Sequence, residues 1–238
     1  VNSEQPNSSN PTPVRILERH CTGKTWPGWW DVLHTELGAQ LDGAEPLELN
    51  SMKNAKKSVV IIGMRAAGKT TISRWCAAAL GYKLVDLDTL FEERYGHGMI
   101  KDFVSQHGWE KFREEEARIF KEVIENYGDA GYVFSSGGGL VESSESRRIL
   151  KSFSKSGGYV LHLHRDIEET IMFLQKDPTR PAYVEEIREV WNRRESWYKD
   201  CSNFSFFAPH CNSEVEFQNL RRAFTKFIRT IKGVTTVD

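Results

Sequence analysis

The clearest chemistry in this chain lies in eight consecutive residues, Gly63-Met64-Arg65-Ala66-Ala67-Gly68-Lys69-Thr70, which fit the pattern G-x-x-x-x-G-K-[ST]. Glycines let such a loop curl until successive backbone N–H groups face one anion, and a helix that follows aims its positive end at the same point. Lys69 then reaches the β and γ phosphates of ATP or GTP, and the Thr70 hydroxyl, with Thr71 behind it, faces Mg²⁺. The flanks agree with the motif. Val59 to Ile62 is an aliphatic run of strand length, as in a strand buried on both faces of a parallel sheet, and Thr70 to Leu80 reads as a helix closed by Gly81.

Further residues gather around that loop by order in the chain. Asp86 and Asp88 follow a short predicted strand, Lys83 to Val85, so alternation puts both carboxylates on one face at its carboxyl edge, one for metal and one for substrate. Helix capping by Asp88 is the plainer reading. Gly137, Gly138 and Gly139 follow the strand Tyr132 to Phe134 and permit close approach of backbone N–H groups to a ligand or another backbone. Three arginines stand in notable settings: Arg113 beside Glu114, Glu115 and Glu116, Arg180 in a proline-flanked loop, and Arg194 between Trp191 and Tyr198. Exposed ion pairing accounts equally well for Arg113 and surface solvation for Arg194, the Arg180 loop could close over a nucleotide, and position alone does not choose among the three. His162 and His164 alternate on a strand without an acidic or cysteine neighbour in sequence, so they read as packing residues. Cys76 reads as a small buried apolar group, and Phe204, Phe206 and Phe207 as a core strand.

The elements that position these residues alternate. After the first strand and helix come a long helix from Trp109 to Tyr127, then helix Ser144 to Phe153, strand Tyr159 to His162, helix Ile167 to Leu174, helix Val184 to Tyr198, strand Phe204 to Phe207 and helix Glu214 to Ile231. Five strands with helical crossovers define an α/β class with a mainly parallel sheet. The 238 residues are 39% hydrophobic and 27% charged, enough for a sizeable core. Lys plus Arg total 32 against 33 for Asp plus Glu, so the net charge of -1 gives no bulk attraction to nucleic acid or to an anionic membrane. No apolar run approaches the roughly 20 residues of a membrane span. Cys21, Cys76, Cys201 and Cys211 lack paired spacing, which fits a reducing, cytoplasmic setting. The chain opens at Val1 and is read as excised from something longer. Residues 1–13 are a polar, flexible segment, 14–50 a tryptophan-bearing piece too short to fold alone, 51–57 a basic linker, 58–231 the main domain and 232–238 the start of another linker.

Taken in order, the P-loop, the D-x-D, the F-R pair at Phe112-Arg113, the triple glycine, T-R-P at Thr179 to Pro181 and R-x-x-x-Y at Arg194 to Tyr198 resemble the shikimate kinase family over about residues 57–231. The resemblance is greatest to members embedded in the five-activity fungal polypeptides of aromatic amino-acid synthesis, because CTGKTWPGWWDVL is similar to the C-terminal end of 5-enolpyruvylshikimate-3-phosphate synthase. It implies a P-loop kinase fold: three layers, a central five-stranded parallel sheet and a mobile lid. It implies ATP as co-substrate, Mg²⁺ at Thr70 and, through water, Asp86, and shikimate as acceptor. Gly63, Met64, Arg65, Ala66, Ala67, Gly68, Lys69, Thr70 and Thr71 would cradle the phosphates. Asp88 would hold the attacking hydroxyl, Arg113 and Arg194 the carboxylate, Gly137, Gly138 and Gly139 the ring hydroxyls, and Arg180 the transferring phosphoryl group. The other catalytic domains of the same polypeptide would be its partners, in a homodimer of the full-length chain, and residues 14–50 alone would carry no synthase activity. Relatives with an arginine stacked on adenine place it where this chain has Phe173 and Leu174. A small-molecule kinase of the gluconate or nucleoside-monophosphate type shares the loop and the sheet, and a non-catalytic nucleotide-binding module is the alternative from another class.

Overall fold

The computed structural model describes residues 56–96, 100–176 and 186–234. The expectations for residues 1–55, for Arg180 and its loop, and for the start of the helix predicted at Val184 lie outside them. Glu48–Asp238 form one compact unit.

Five parallel strands run β1 (Val59–Ile62), β2 (Lys83–Asp86), β3 (Tyr132–Ser135), β4 (Tyr159–His164) and β5 (Phe204–Phe207), in the spatial order β2-β3-β1-β4-β5. Central β1 pairs Val60 with Phe134 on one side and with Val160 on the other, and all four of its residues are fully buried. A strand with neighbours on both edges and helices on both faces has no solvated side, which is why it reads as an unbroken aliphatic run.

Helices α1 (Lys69–Leu80), α2 (Leu87–Tyr95), α3 (Ile100–Tyr127), α4 (Ser144–Lys155), α5 (Ile167–Lys176) and α6 (Ile187–Cys201) lie in the crossovers, and α7 (Glu214–Ile231) follows the last strand. Alternation along β1 splits the core in two. Val59 and Ile61 pack with Ile72, Cys76 and Ala77 of α1 and with Leu220, Phe224 and Ile228 of α7. Val60 and Ile62 pack with Phe120 and Val123 of α3, Ile149, Leu150 and Phe153 of α4, and Tyr198 and Cys201 of α6. Helices, sheet and helices therefore form three layers, as expected.

Some elements differ from the sequence reading. Helix α2 is additional, and α3 starts at Ile100 rather than Trp109, with non-helical backbone at Gly108 (φ 81°, ψ 165°). Their buried apolar residues Phe91, Phe112 and Ile119 form a satellite cluster outside the two main cores. Phe207 is 51% exposed rather than buried, because β5 is the sheet edge and its outward residues meet no further layer. Cys76 is fully buried, and burial pushes its thiol up to about 12.

Candidate active site

The loop after β1 is shaped by what presses against it. Gly63 has φ 151°, and a Cβ there would lie 2.1 Å from the Leu163 carbonyl oxygen, so no other residue fits beside β4. Ala66 adopts a left-handed φ of 66°, a strained position for a residue with a Cβ. Gly68 (φ 93°) caps α1 with no side-chain acceptor, leaving the first-turn N–H groups directed at the loop mouth. Lys69 arches back over its own loop, its Nζ donating to the carbonyls of Gly63 (3.0 Å) and Met64 (2.9 Å). Thr70 is exposed and Thr71 partly so. Ser136 donates through N and Oγ to the Ile61 carbonyl, tying the end of β3 to the start of the P-loop.

The two aspartates do not share a face by strand alternation. Helix α2 begins at Leu87, so Asp86 is its N-cap, with Oδ1 accepting from the N–H groups of Asp88 (3.0 Å) and Thr89 (3.4 Å). Asp88 sits in the first helical turn and turns towards Glu116 of α3. A Cβ on Gly137 would lie 2.8 Å from both Asp88 Oδ1 and Glu116 Oε1, which locates the two carboxylates under the triple-glycine loop. Burial, then the charges of Glu116 and Asp86, push the Asp88 carboxyl up to about 6, against the pull of Lys69 and Arg113. Burial likewise raises Glu116, opposed by Arg113 and Arg194.

Both candidate carboxylate-binding arginines are inside the protein. Arg113 (side chain 16% exposed) pairs through Nη1 with Glu116 Oε2 and lies against the rings of Phe112 and Trp109. Arg194, with a side chain only 6% exposed, donates from Nε to Glu142 Oε1 (2.9 Å) and from Nη1 to the Gly138 carbonyl (3.1 Å). The Tyr198 hydroxyl donates to that same carbonyl. Burial excludes surface solvation, the plainer reading of Arg194, whereas the helical ion pair read for Arg113 is present, with Glu116, but partly buried rather than exposed. The glycines permit the crowding: a Cβ on Gly139 would fall 1.8 Å from Arg113 Nη2, and one on Gly138 would fall 2.8 Å from the Arg65 backbone N. P-loop, aspartates, triple glycine and arginines thus converge at the carboxyl edge of the sheet, where parallel α/β proteins bind ligands.

Several residues of this constellation escaped sequence reasoning. Glu116 hides in a run of three glutamates, of which only it is fully buried, and its i, i+3 spacing from Arg113 was the available signal. Glu142 and Arg165 carried no local signal. A cavity of about 190 Å³ opens beside the P-loop, lined by Gly68, Thr71, Trp75, Arg165, Ala208 and Phe217 among others. A larger cleft of about 530 Å³, next to Lys57, Gly128 and Ser156, lies at the opposite, amino ends of the strands. His162 is a packing residue, stacked on Tyr198 with ring centroids 5.1 Å apart.

This geometry has known counterparts. The family model described as shikimate kinase matches residues 65–232. The chain is 76% identical over all 238 residues to the pentafunctional AROM polypeptide of Saccharomyces cerevisiae strain YJM789, spanning 15% of that protein's length. It is 65% identical over 237 residues to the pentafunctional AROM polypeptide of Kluyveromyces lactis, again 15% of the relative's length. Among solved structures, shikimate kinase from Acinetobacter baumannii in complex with shikimate superposes with a TM-score of 0.61 at 22% identity, covering 74% of this chain and 93% of that one. Shikimate kinase from Bacteroides thetaiotaomicron gives 0.60 at 21%, covering 72% and 98%. Those two likenesses establish the fold. With the family model covering the P-loop lysine, the aspartates, the triple glycine and Arg113 and Arg194, this chain belongs to the shikimate kinase family, whose members use ATP.

Proposed function

We propose that this chain transfers the γ-phosphoryl group of ATP to the 3-hydroxyl of shikimate, giving shikimate 3-phosphate and ADP. The observation that carries this reading is the convergence of a P-loop lysine, a carboxylate of raised pKa and two arginines, one buried and one partly so, on one glycine loop. A carboxylate ligand calls for planar, permanently charged partners, and Arg113 and Arg194 are such a pair.

In this mechanism the P-loop amides from Gly63 to Thr71 hold the phosphates, and Lys69 leaves the carbonyls it now caps to follow the charge on the γ phosphoryl group. The bond from phosphorus to the β–γ bridging oxygen breaks as the bond to the acceptor oxygen forms, and Asp88 orients that hydroxyl and takes its proton. Gly137, Gly138 and Gly139 border the acceptor ring. Thr70 and, through water, Asp86 offer the hard oxygen donors that suit Mg²⁺, which when bound would neutralise charge on the β and γ phosphates. The cavity lined by Arg165 and Trp75 accommodates the base. Arg180, read from the sequence as a further cation for the transferring phosphoryl group, lies outside the described residues. We place this activity as one unit of a longer cytoplasmic polypeptide with several catalytic domains. Among the described residues no helix is long and apolar enough to cross a membrane.

The test is ADP release from MgATP with and without shikimate. Release that depends on shikimate, that Lys69→Ala lowers at least about a hundredfold, and whose KM for shikimate rises in Arg113→Ala, is the expected result. If Arg113→Ala left both kinetic constants for shikimate unchanged, the clamp assignment would be wrong. Release indifferent to shikimate would leave only a nucleotide-binding module.

A further inference from the structure

The two arginines assigned to the acceptor's carboxylate are already joined by a carboxylate of the protein. Glu142 ends the single 3₁₀ turn, Leu140–Glu142, that directly follows Gly139. Its Oε1 lies 2.9 Å from Arg194 Nη2, accepts from Arg194 Nε at 2.9 Å, and accepts from Arg193 Nη2 at 2.7 Å. Its Oε2 lies 3.6 Å from Arg113 Nε, too far for a hydrogen bond. One side chain thus spans helix α3, which carries Arg113, and helix α6, which carries Arg193 and Arg194. The loop below it is gripped by α6 as well, through Arg194 and Tyr198 on the Gly138 carbonyl.

We propose that Glu142 is a positioning residue for the acceptor: it holds the Arg113 and Arg194 guanidiniums in the relative placement that reads a single carboxylate, and so sets the preference for a monoanionic acid. The inference rests on the reading of those two arginines as the clamp. Three features carry it. Glu142 is 25% exposed while the Arg194 side chain it holds is 6% exposed, so the pair is not a solvated surface bridge of little consequence. Arg113 Nε and Glu116 Oε1 are buried without hydrogen-bond partners, which leaves the clamp incompletely satisfied. A single carboxylate, Glu142, meets guanidiniums from both helices, Arg193 and Arg194 of α6 and, at longer range, Arg113 of α3. Burial works against ionisation of Glu142, yet its arginine partners hold its carboxyl below the ordinary range, so it meets them as a carboxylate at neutral pH.

The test couples the side chain to the ligand's carboxylate. Binding of shikimate and of methyl shikimate, whose carboxylate is capped as an ester, is measured by calorimetry on the full chain, as wild type and as Glu142→Gln. Wild type is expected to bind shikimate much more tightly than the ester. Glu142→Gln is expected to weaken shikimate about tenfold while the ester's affinity and the KM for ATP stay within about twofold. An equal loss for acid and ester would mean a general structural role and would overturn the proposal, as would unchanged or tighter shikimate binding in the variant. Should Glu142→Gln fold poorly, Glu142→Asp carries the same comparison, with a smaller loss again confined to the acid. A wild type that does not prefer acid to ester would overturn the clamp itself, a failure distinct from that of Glu142 alone.

Discussion

Asp88 shows how placement sets the working range of a single group. Its carboxyl ordinarily titrates near 3.8, and burial beside Glu116 and Asp86 moves it to about 6. If the ionised form orients the attacking hydroxyl, kcat/KM for shikimate should fall as pH drops below about 6, and Asp88→Asn should flatten that limb while lowering kcat by about a hundredfold. A pH–rate series on both proteins checks this. The same shift has a sign for stability. A carboxyl whose folded pKa is raised binds its proton more tightly in the folded state, so its contribution to stability is lost as pH rises from 3.8 through about 6. At pH 7.5 Asp88→Asn should therefore be more stable than wild type by roughly 2–3 kcal/mol, less at pH 5, as urea denaturation at the two pH values would read. Much of this was legible in the sequence, because Asp88 follows a P-loop and a strand. Its neighbour Glu116 was not, since a glutamate in an acidic helical run looks like solvated surface until its burial is known.

At the scale of elements, the site is a junction of two loops that only glycine can make. Gly138 brings the triple-glycine loop against the backbone of Arg65 in the P-loop, and Gly139 leaves room for the Arg113 guanidinium. Gly139→Ala, with its Cβ falling 1.8 Å from Arg113 Nη2, should displace that side chain. The KM for shikimate is expected to rise by about tenfold or more while the KM for ATP changes little, because the disturbance falls on the acceptor side. Steady-state kinetics with each substrate varied separates the two. Helix α2 entered the sequence reading only as the element that Asp88 would cap, for a related reason. Only Leu87 and Phe91 of its nine residues are buried, and Phe91 packs into a satellite cluster, so no apolar stripe of helical period is long enough to announce it. The D-x-D pattern then looked like strand alternation, although Asp86 ends the strand and caps the helix.

For the molecule as a whole, both main cores draw their buried residues, among the described residues, from Val59 to Ile228. A chain beginning at Ser51 is expected to keep the melting temperature and the shikimate-dependent ADP release of the full chain. Calorimetry and the coupled assay on both would show it, and loss of the fold would mean that earlier residues complete the core. The sequence by itself determined the strand, loop and helix around Lys69, the alternating α/β order and the glycine loop, because those depend on residue type and on periods of two and 3.6 along a continuous stretch. Only the tertiary structure decided which charges meet. Glu142 reaches Arg194 across 52 residues and Tyr198 reaches Gly138 across 60, contacts that no local period encodes. They exist because placing β4 and β5 beyond β1 brings α6 back over the carboxyl edge of the sheet, and in that water-poor space each buried guanidinium must find a carboxylate or carbonyl partner.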